Sequence, residues 1–94
     1  MTFKAINPAL GEVVNRFDVK EKRIPERIDA ADFAFAEWRQ TKMAERESRL
    51  SKTADILKRD RDDYAKLMAV EMGKPIQDGR AEIEKCVWLC RHVA

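Results

Sequence analysis

The 94-residue sequence predicts a mainly α-helical protein, with short N-terminal β-strands or a hairpin followed by four α-helices. Three observations support this class. Residues 3–19 contain two runs of strand-forming residues separated by turn residues, apolar residues recur at helical spacing through residues 25–94, and a Gly-Lys-Pro corner at 73–75 divides the last two helical segments. A chain of this length is expected to form one domain with a modest core.

The β element reads FKAINPALGEVVNRFDV, with extended runs at 3–7 and 12–19. Asn7, Pro8 and Gly11 between them are turn residues. Because Pro8 has no backbone N–H, it argues against pairing in a central strand at that point. The runs therefore form a hairpin or two edge strands, and the sequence leaves open whether they pair with each other.

Two helices are predicted at 25–41 and 43–59. The apolar stripe of the first contains Ile24, Ile28, Ala31, Phe35 and Trp38. Phe33 projects almost opposite and needs a second partner. The second helix carries Met43, Leu50, Ala54 and Leu57 on one face, with the surface pairs Glu45–Arg49 and Asp55–Arg59.

A third helix is predicted at 61–72, with Asp60 and Asp63 in its N-cap region and Gly73 as its C-cap. Pro75 cannot continue that helix but can begin another. The corner therefore launches a fourth helix, 76–94. Its predicted buried stripe contains Ile76, Ile83, Cys86, Val87, Cys90 and Ala94.

The fourth helix has a second face, formed by Ala81, Lys85, Trp88 and His92. A large aromatic side chain beside a cation and an imidazole is unusual on a face that points away from the core. Either another part of a protein covers this face, or it lines a cavity, or it is a partly exposed surface with solvated Lys85 and His92.

Charge and cysteine content exclude several classes of function. The 19 basic and 17 acidic residues are interleaved, which gives no footprint for nucleic acid. No apolar run is long enough to span a membrane, and we expect a cytoplasmic protein. Cys86, Cys90 and one His do not match a metal-site pattern, so the cysteines are interpreted as reduced, structural thiols.

No catalytic, cofactor-binding or metal-ligating residue is predicted in the chain. The three glycines do not form a phosphate loop. The only His has no identifiable nucleophile in reach, and Cys90 and His92, two residues apart on a helix, diverge by about 200°. By these tests the chain is not a complete enzyme.

The ordered series of motifs resembles the N-terminal region of the aldehyde dehydrogenase superfamily. It comprises INPALGEVV, AFAEWRQ, MAERESRLSKTADILKRDRDDYAKLMAVEMGKPI and RAEIEKCVWLCRHVA. EMGKP, AEIEKC and WLCR look most like the succinate-semialdehyde dehydrogenase group. The stretch 19–33 departs from the usual small-residue-rich segment.

The resemblance implies that residues 1–94 are one N-terminal segment of an enzyme that oxidises an aldehyde, succinate semialdehyde in the subgroup, to its acid with NAD+ or NADP+. The cysteine nucleophile, the general base and the nucleotide-binding strands lie further along in the family. The chain alone is therefore expected to be inactive and to bind no cofactor. A homo-oligomer is expected.

The resemblance also implies that the fourth helix borders the passage to the catalytic cysteine. Ala81 and Lys85 would flank that entrance, with Trp88 nearby, and the Lys85 ammonium would attract a carboxylate-bearing aldehyde. The alternative from another class is a free-standing helical interaction or self-association module. It would dock through Phe33, Ile56 and Trp88, which lie off the main stripes.

Overall fold

The computed structural model describes residues 1–94. In chain order the elements are β1 (Thr2–Ile6), β2 (Val13–Asp18), α1 (Arg23–Trp38), α2 (Met43–Arg59), α3 (Arg61–Met72) and α4 (Ile76–Val93). The predicted class, a mainly α protein with N-terminal strands before four helices, is confirmed. None of the four helices combines the length and the apolar character that crossing a bilayer demands.

The two strands pair with each other as an antiparallel hairpin, in which Ile6 lies opposite Val13. The loop is held by Asn7, whose side-chain Oδ1 accepts a hydrogen bond from the Ala9 N–H at 2.9 Å. The Asn7 carbonyl accepts another from the Gly11 N–H at 2.8 Å. Gly11 has φ +72°, a conformation that glycine adopts without a Cβ penalty. The turn residues therefore act as predicted.

Helix α1 begins two residues before Pro25 and ends at Trp38, whereas the pattern predicted 25–41. Pro25 lies in the first turn, where its missing N–H removes no helical hydrogen bond. At the other end the Thr41 Oγ1 donates to the Trp38 carbonyl at 2.7 Å. This side-chain bond satisfies a terminal carbonyl and closes the helix earlier than the apolar pattern suggests.

No residue of α1 is buried. Its predicted stripe is a real helical face, but Phe35 and Trp38 on it are exposed, as is Phe33 on the other side. The Trp38 ring lies under the guanidinium groups of Arg46 and Arg49, at 5.5 and 5.6 Å from its centroid. These cation–π contacts tie the end of α1 to α2 and leave the rest of its apolar face uncovered.

The core lies where α4 packs against α2 and α3. Its buried residues are Ala54, Ala65, Gly79 and Ile83. A Cβ on Gly79 would come within 3.1 Å of the Ala65 Cα. Small residues at this crossing let the backbones of α3 and α4 approach closely.

The predicted buried stripe of α4 is only partly right. Ile83 is buried and Cys90 is half-buried, but Cys86 and Ile76 are exposed. Gly79, which the pattern ignored, is buried instead. Helix α4 approaches α3 most closely at Gly79, which has no side chain. Part of the predicted stripe therefore faces solvent.

The molecule is flat, with principal extents of 48 × 37 × 15 Å. Only four residues of the chain are buried in this thin shape. Each helix therefore exposes parts of two sides. This accounts for the many large apolar side chains at the surface.

The corner between α3 and α4 forms as predicted. Gly73 has φ +72° in the left-handed region, and its N–H donates to the Ala69 carbonyl at 3.1 Å. Pro75 is the N-cap residue of α4. Across the corner, the Lys74 ammonium pairs with the Glu82 carboxylate.

Candidate functional site

The candidate site is the outward face of α4. Ala81, Lys85 and Trp88 all lie on it and are exposed, on the side of the helix away from buried Ile83. Because residues three and four apart are neighbours on a helix, the three form one continuous strip. The structure thus brings the predicted entrance residues together, and their role stays a prediction.

Trp88 is held by a stacking contact with His92. The two ring centroids are 5.0 Å apart and the planes differ by 8°. Even so, Trp88 remains 60% exposed. Lys85 takes part in no salt bridge of the chain, so its ammonium is free to act on an anion.

An open cleft of about 510 Å³ lies beside Trp88, between the end of α2, the start of α3 and α4. Trp88 and Val87 form its apolar wall. The other lining residues are charged: Lys58, Arg59, Arg61, Asp62, Glu84 and Arg91. The cleft is therefore a polar groove with one aromatic side.

Ion pairs join α3 to the first half of α4. The Arg61 guanidinium donates to the Glu84 carboxylate, and Arg80 Nε donates to Asp62 Oδ1 at 3.0 Å. The hydrogen bond from Arg80, aided by its charge and by Arg61, holds the pKa of Asp62 below its ordinary value, against an opposing effect of desolvation. The hydrogen bond to Glu84, followed by the one to Asp62, raises the pKa of Arg61.

A further ion pair joins the last turn of α4 to α2. Arg91 Nη2 donates to Asp55 Oδ1 at 3.1 Å. The predicted pair Asp55–Arg59 is therefore wrong, because Arg59 turns to the adjacent Asp60 and donates to it from Nε and Nη2, each at 3.0 Å. This contact lowers the pKa of Asp60, first through the hydrogen bond from Arg59.

Asp60 is the N-cap residue of α3, but its side chain makes no capping hydrogen bond. Its carboxylate is already used by Arg59. The surface pair Glu45–Arg49 is confirmed, with Arg49 Nη2 at 2.9 Å from Glu45 Oε1. Local i, i+4 pairing was thus predictable only where no other helix competes for the charges.

Ion pairs at both ends of α4 connect one flank of this helix to α2 and α3. Arg80 and Glu84 anchor its first half, and Arg91 anchors its last turn. Sequence reasoning missed these contacts because it paired charges only within one helix. The alignment of Arg80, Glu84 and Arg91 on one flank of α4 was the available signal.

Comparison with known proteins places this arrangement in a family. The sequence profile of the Aldehyde dehydrogenase family matches residues 1–94. The chain therefore belongs to the aldehyde dehydrogenase family, as its motifs predicted.

Three relatives illustrate the similarity. A probable succinate-semialdehyde dehydrogenase (NADP+) of Synechocystis sp. is 39% identical and aligns with 100% of this chain and 21% of its own length. A non-phosphorylating aspartate-semialdehyde dehydrogenase of Halomonas elongata is 40% identical over 83% of this chain and 16% of its own. A glutarate-semialdehyde dehydrogenase of Pseudomonas aeruginosa is 36% identical over 87% of this chain and 17% of its own length. The chain spans about a fifth of the length of these relatives.

Proposed function

We propose that this chain is the N-terminal segment of an NAD(P)-dependent aldehyde dehydrogenase that oxidises a semialdehyde, succinate semialdehyde in particular, to its carboxylic acid. The observation that carries the proposal is the family match over residues 1–94, with relatives named for succinate, aspartate and glutarate semialdehydes. All three of these aldehydes carry a carboxylate at a distance from the reacting carbonyl.

The exposed apolar surface supports a longer protein around this segment. All of α1 is exposed, and only four residues of the chain are buried. Monomeric proteins rarely leave so much contiguous apolar surface open. Since relatives are about five times longer, the remaining length is enough to cover α1 and to supply the catalytic and cofactor-binding residues. The segment alone is then inactive and binds no cofactor.

Within this enzyme, Ala81, Lys85 and Trp88 line the entrance through which the aldehyde passes. The unpaired Lys85 ammonium supports this role, because a cation at an entrance raises the local concentration of an anionic substrate. Ala81 leaves space beside it. The Trp88 ring gives the aliphatic part of the substrate an apolar surface.

The proposed cofactor is NAD+ or NADP+, and the Synechocystis relative, named for NADP+, favours the latter. The proposed assembly is a homo-oligomer in the cytoplasm, acting on the aldehyde without a nucleic acid or membrane partner.

The test is to sequence the gene beyond codon 94 and to assay both the extended product and the 94-residue chain. Extended protein should reduce NAD+ or NADP+ with succinate semialdehyde, followed at the nicotinamide absorbance, while the chain alone should not. Activity of the 94 residues alone would refute the proposed division. Extended protein that is inactive with every semialdehyde would refute the proposed reaction.

A second candidate is a free-standing helical interaction or self-association module. It is favoured by the exposure of Phe33 at 73%, Trp88 at 60% and Ile56 at 45%, all outside the core. Sedimentation of the 94-residue chain distinguishes the two functions. A module gives one defined oligomer whose mass does not grow with concentration. The Phe33→Asp substitution should dissociate that oligomer into monomers. An uncovered enzyme segment gives a concentration-dependent series of sizes and binds apolar dyes.

A further inference from the structure

Cys86 and Cys90 form a pair of free thiols on α4 that the proposed oxidation does not use. Cys86 is exposed and Cys90 is half-buried. They are four residues apart in one regular helix, so their side chains lie on the same face, one turn from each other. The pair lies on the flank of α4 away from the charged cleft, whose lining includes neither cysteine.

The helical spacing separates the thiols by more than a disulfide allows. Side chains at i and i+4 have Cβ atoms about 5–6 Å apart. A disulfide requires about 3.5–4.5 Å between Cβ atoms, so direct oxidation of this pair would have to distort α4. A bridging metal ion has no such difficulty. Thiolate–metal bonds of about 2.3 Å, the length found for zinc, would place two collinear sulfur atoms about 4.6 Å apart. Cysteine side chains whose Cβ atoms are about 5–6 Å apart can bring their sulfur atoms to that distance.

The number of metal-binding side chains near the two cysteines indicates which metal ion they could bind. No group of three or more His, Cys, Asp and Glu side chains gathers anywhere in the chain in a way suited to a metal. A tetrahedral zinc site is therefore not built here. Two soft thiolates with no third ligand suit Cu(I), which accepts two collinear sulfur ligands.

We propose that Cys86 and Cys90 form a two-thiolate site for Cu(I). On binding, each thiol loses its proton to solvent and forms one Cu–S bond, and no group is oxidised or reduced. The bis-thiolate complex carries one negative charge.

The experiment titrates the reduced protein with Cu(I) without oxygen, in competition with a chromogenic Cu(I) chelator. The expected result is one copper per chain, no change in the distribution of sizes in sedimentation when copper is added, and release of two protons. Cys86→Ser or Cys90→Ser should each weaken binding about 100-fold or more, because the second Cu–S bond forms at high effective concentration only when both thiols share one helix. Circular dichroism checks that each variant keeps its helices.

A matched control keeps two thiols but moves one off the face. Cys90→Ser combined with His92→Cys places the thiols six residues apart, about 120° around the helix axis. This variant should bind as weakly as the single substitutions. Affinity within about threefold of the original protein, or one copper shared between two chains, would overturn the proposal. Neither result depends on dehydrogenase activity, so failure here is distinguishable from failure of the proposed function.

Discussion

Pro8 in the hairpin loop lies against Gly73 at the end of α3, so closely that a Cβ at position 73 would meet the Pro8 Cγ at 2.8 Å. This contact fixes the hairpin on the helical layer. Gly73 also needs its φ of +72° to end α3. One glycine thus meets two independent demands, a left-handed backbone and a lack of side-chain volume.

We expect Gly73→Ala to destabilise the chain more than Gly11→Ala. Gly11 has the same φ, but a Cβ added there would meet no atom within 4 Å, so it serves as a matched control. Left-handed strain costs about 1–2 kcal/mol in both variants. Overpacking against Pro8 adds about 1–3 kcal/mol only at position 73. Urea unfolding measures the difference, and Pro8→Ala should recover most of the extra loss. Equal losses for the two glycines would contradict this account.

Gly79→Ala should also lower the free energy of unfolding, by about 1–2 kcal/mol. Alanine is the better helix former by about 1 kcal/mol, but its Cβ would lie 3.1 Å from the Ala65 Cα, a backbone atom that cannot turn aside. Denaturant unfolding followed by helical circular dichroism is the measurement. A more stable variant would mean that the two helices separate easily, contrary to the expectation.

Acid should weaken the connection between α3 and α4. Arg80 and Arg61 hold the pKa of Asp62 below its ordinary value of 3.8. A depressed pKa in the folded state means that the unfolded state binds the proton first, so this stabilisation is present above pH 3.8 and is lost as the pH falls through the lower, folded value. Titration of the Asp62 carboxyl carbon by NMR gives the folded pKa. Arg80→Gln should raise it toward the ordinary value, and an unchanged titration would show that Arg80 has no such effect.

Charge reversal at Lys85 tests the proposed entrance in the complete enzyme. Lys85→Glu should raise KM for succinate semialdehyde about 30-fold, since a unit charge pair at about 4 Å in water is worth about 1 kcal/mol and the substitution replaces one attraction by an equal repulsion. KM for an uncharged aldehyde such as butanal should stay within about twofold, and added salt should shrink the difference. Lys52→Glu, on the exposed surface of α2, is the matched control. Equal changes for both aldehydes would remove Lys85 from the entrance.

Much of the fold was predictable because it depends on local signals. The bounds of α2 and α3 match the periodic pattern, and Gly73 with Pro75 marked the corner correctly. Helix α3 ends at Gly73, whose left-handed backbone cannot continue the helix. Helix α1 ended earlier than predicted because the Thr41 side chain caps it, a contact that apolar periodicity does not report.

Contacts between helices were less predictable. The crossing at Gly79 was missed because a pattern of large apolar residues gives no weight to a glycine. The partner predicted for Asp55, Arg59, was wrong. The actual partner, Arg91, is distant in sequence and comes close only when α2 and α4 pack together. The outward face with Lys85 and Trp88 was found from spacing, since these residues lie opposite buried Ile83 on the helix, whereas the same spacing placed exposed Cys86 and Ile76 in the core.

Because α1 has no buried residue, it should unfold locally more often than the other helices. Its backbone amides should exchange hydrogen with solvent well before those of α3 and α4, since contacts with another helix are found only near its end, at Trp38. A protease should likewise cut here first. The released N-terminal piece would then carry the hairpin, and the contacts of β1 and Pro8 with α3 would decide whether that piece stays attached or diffuses away.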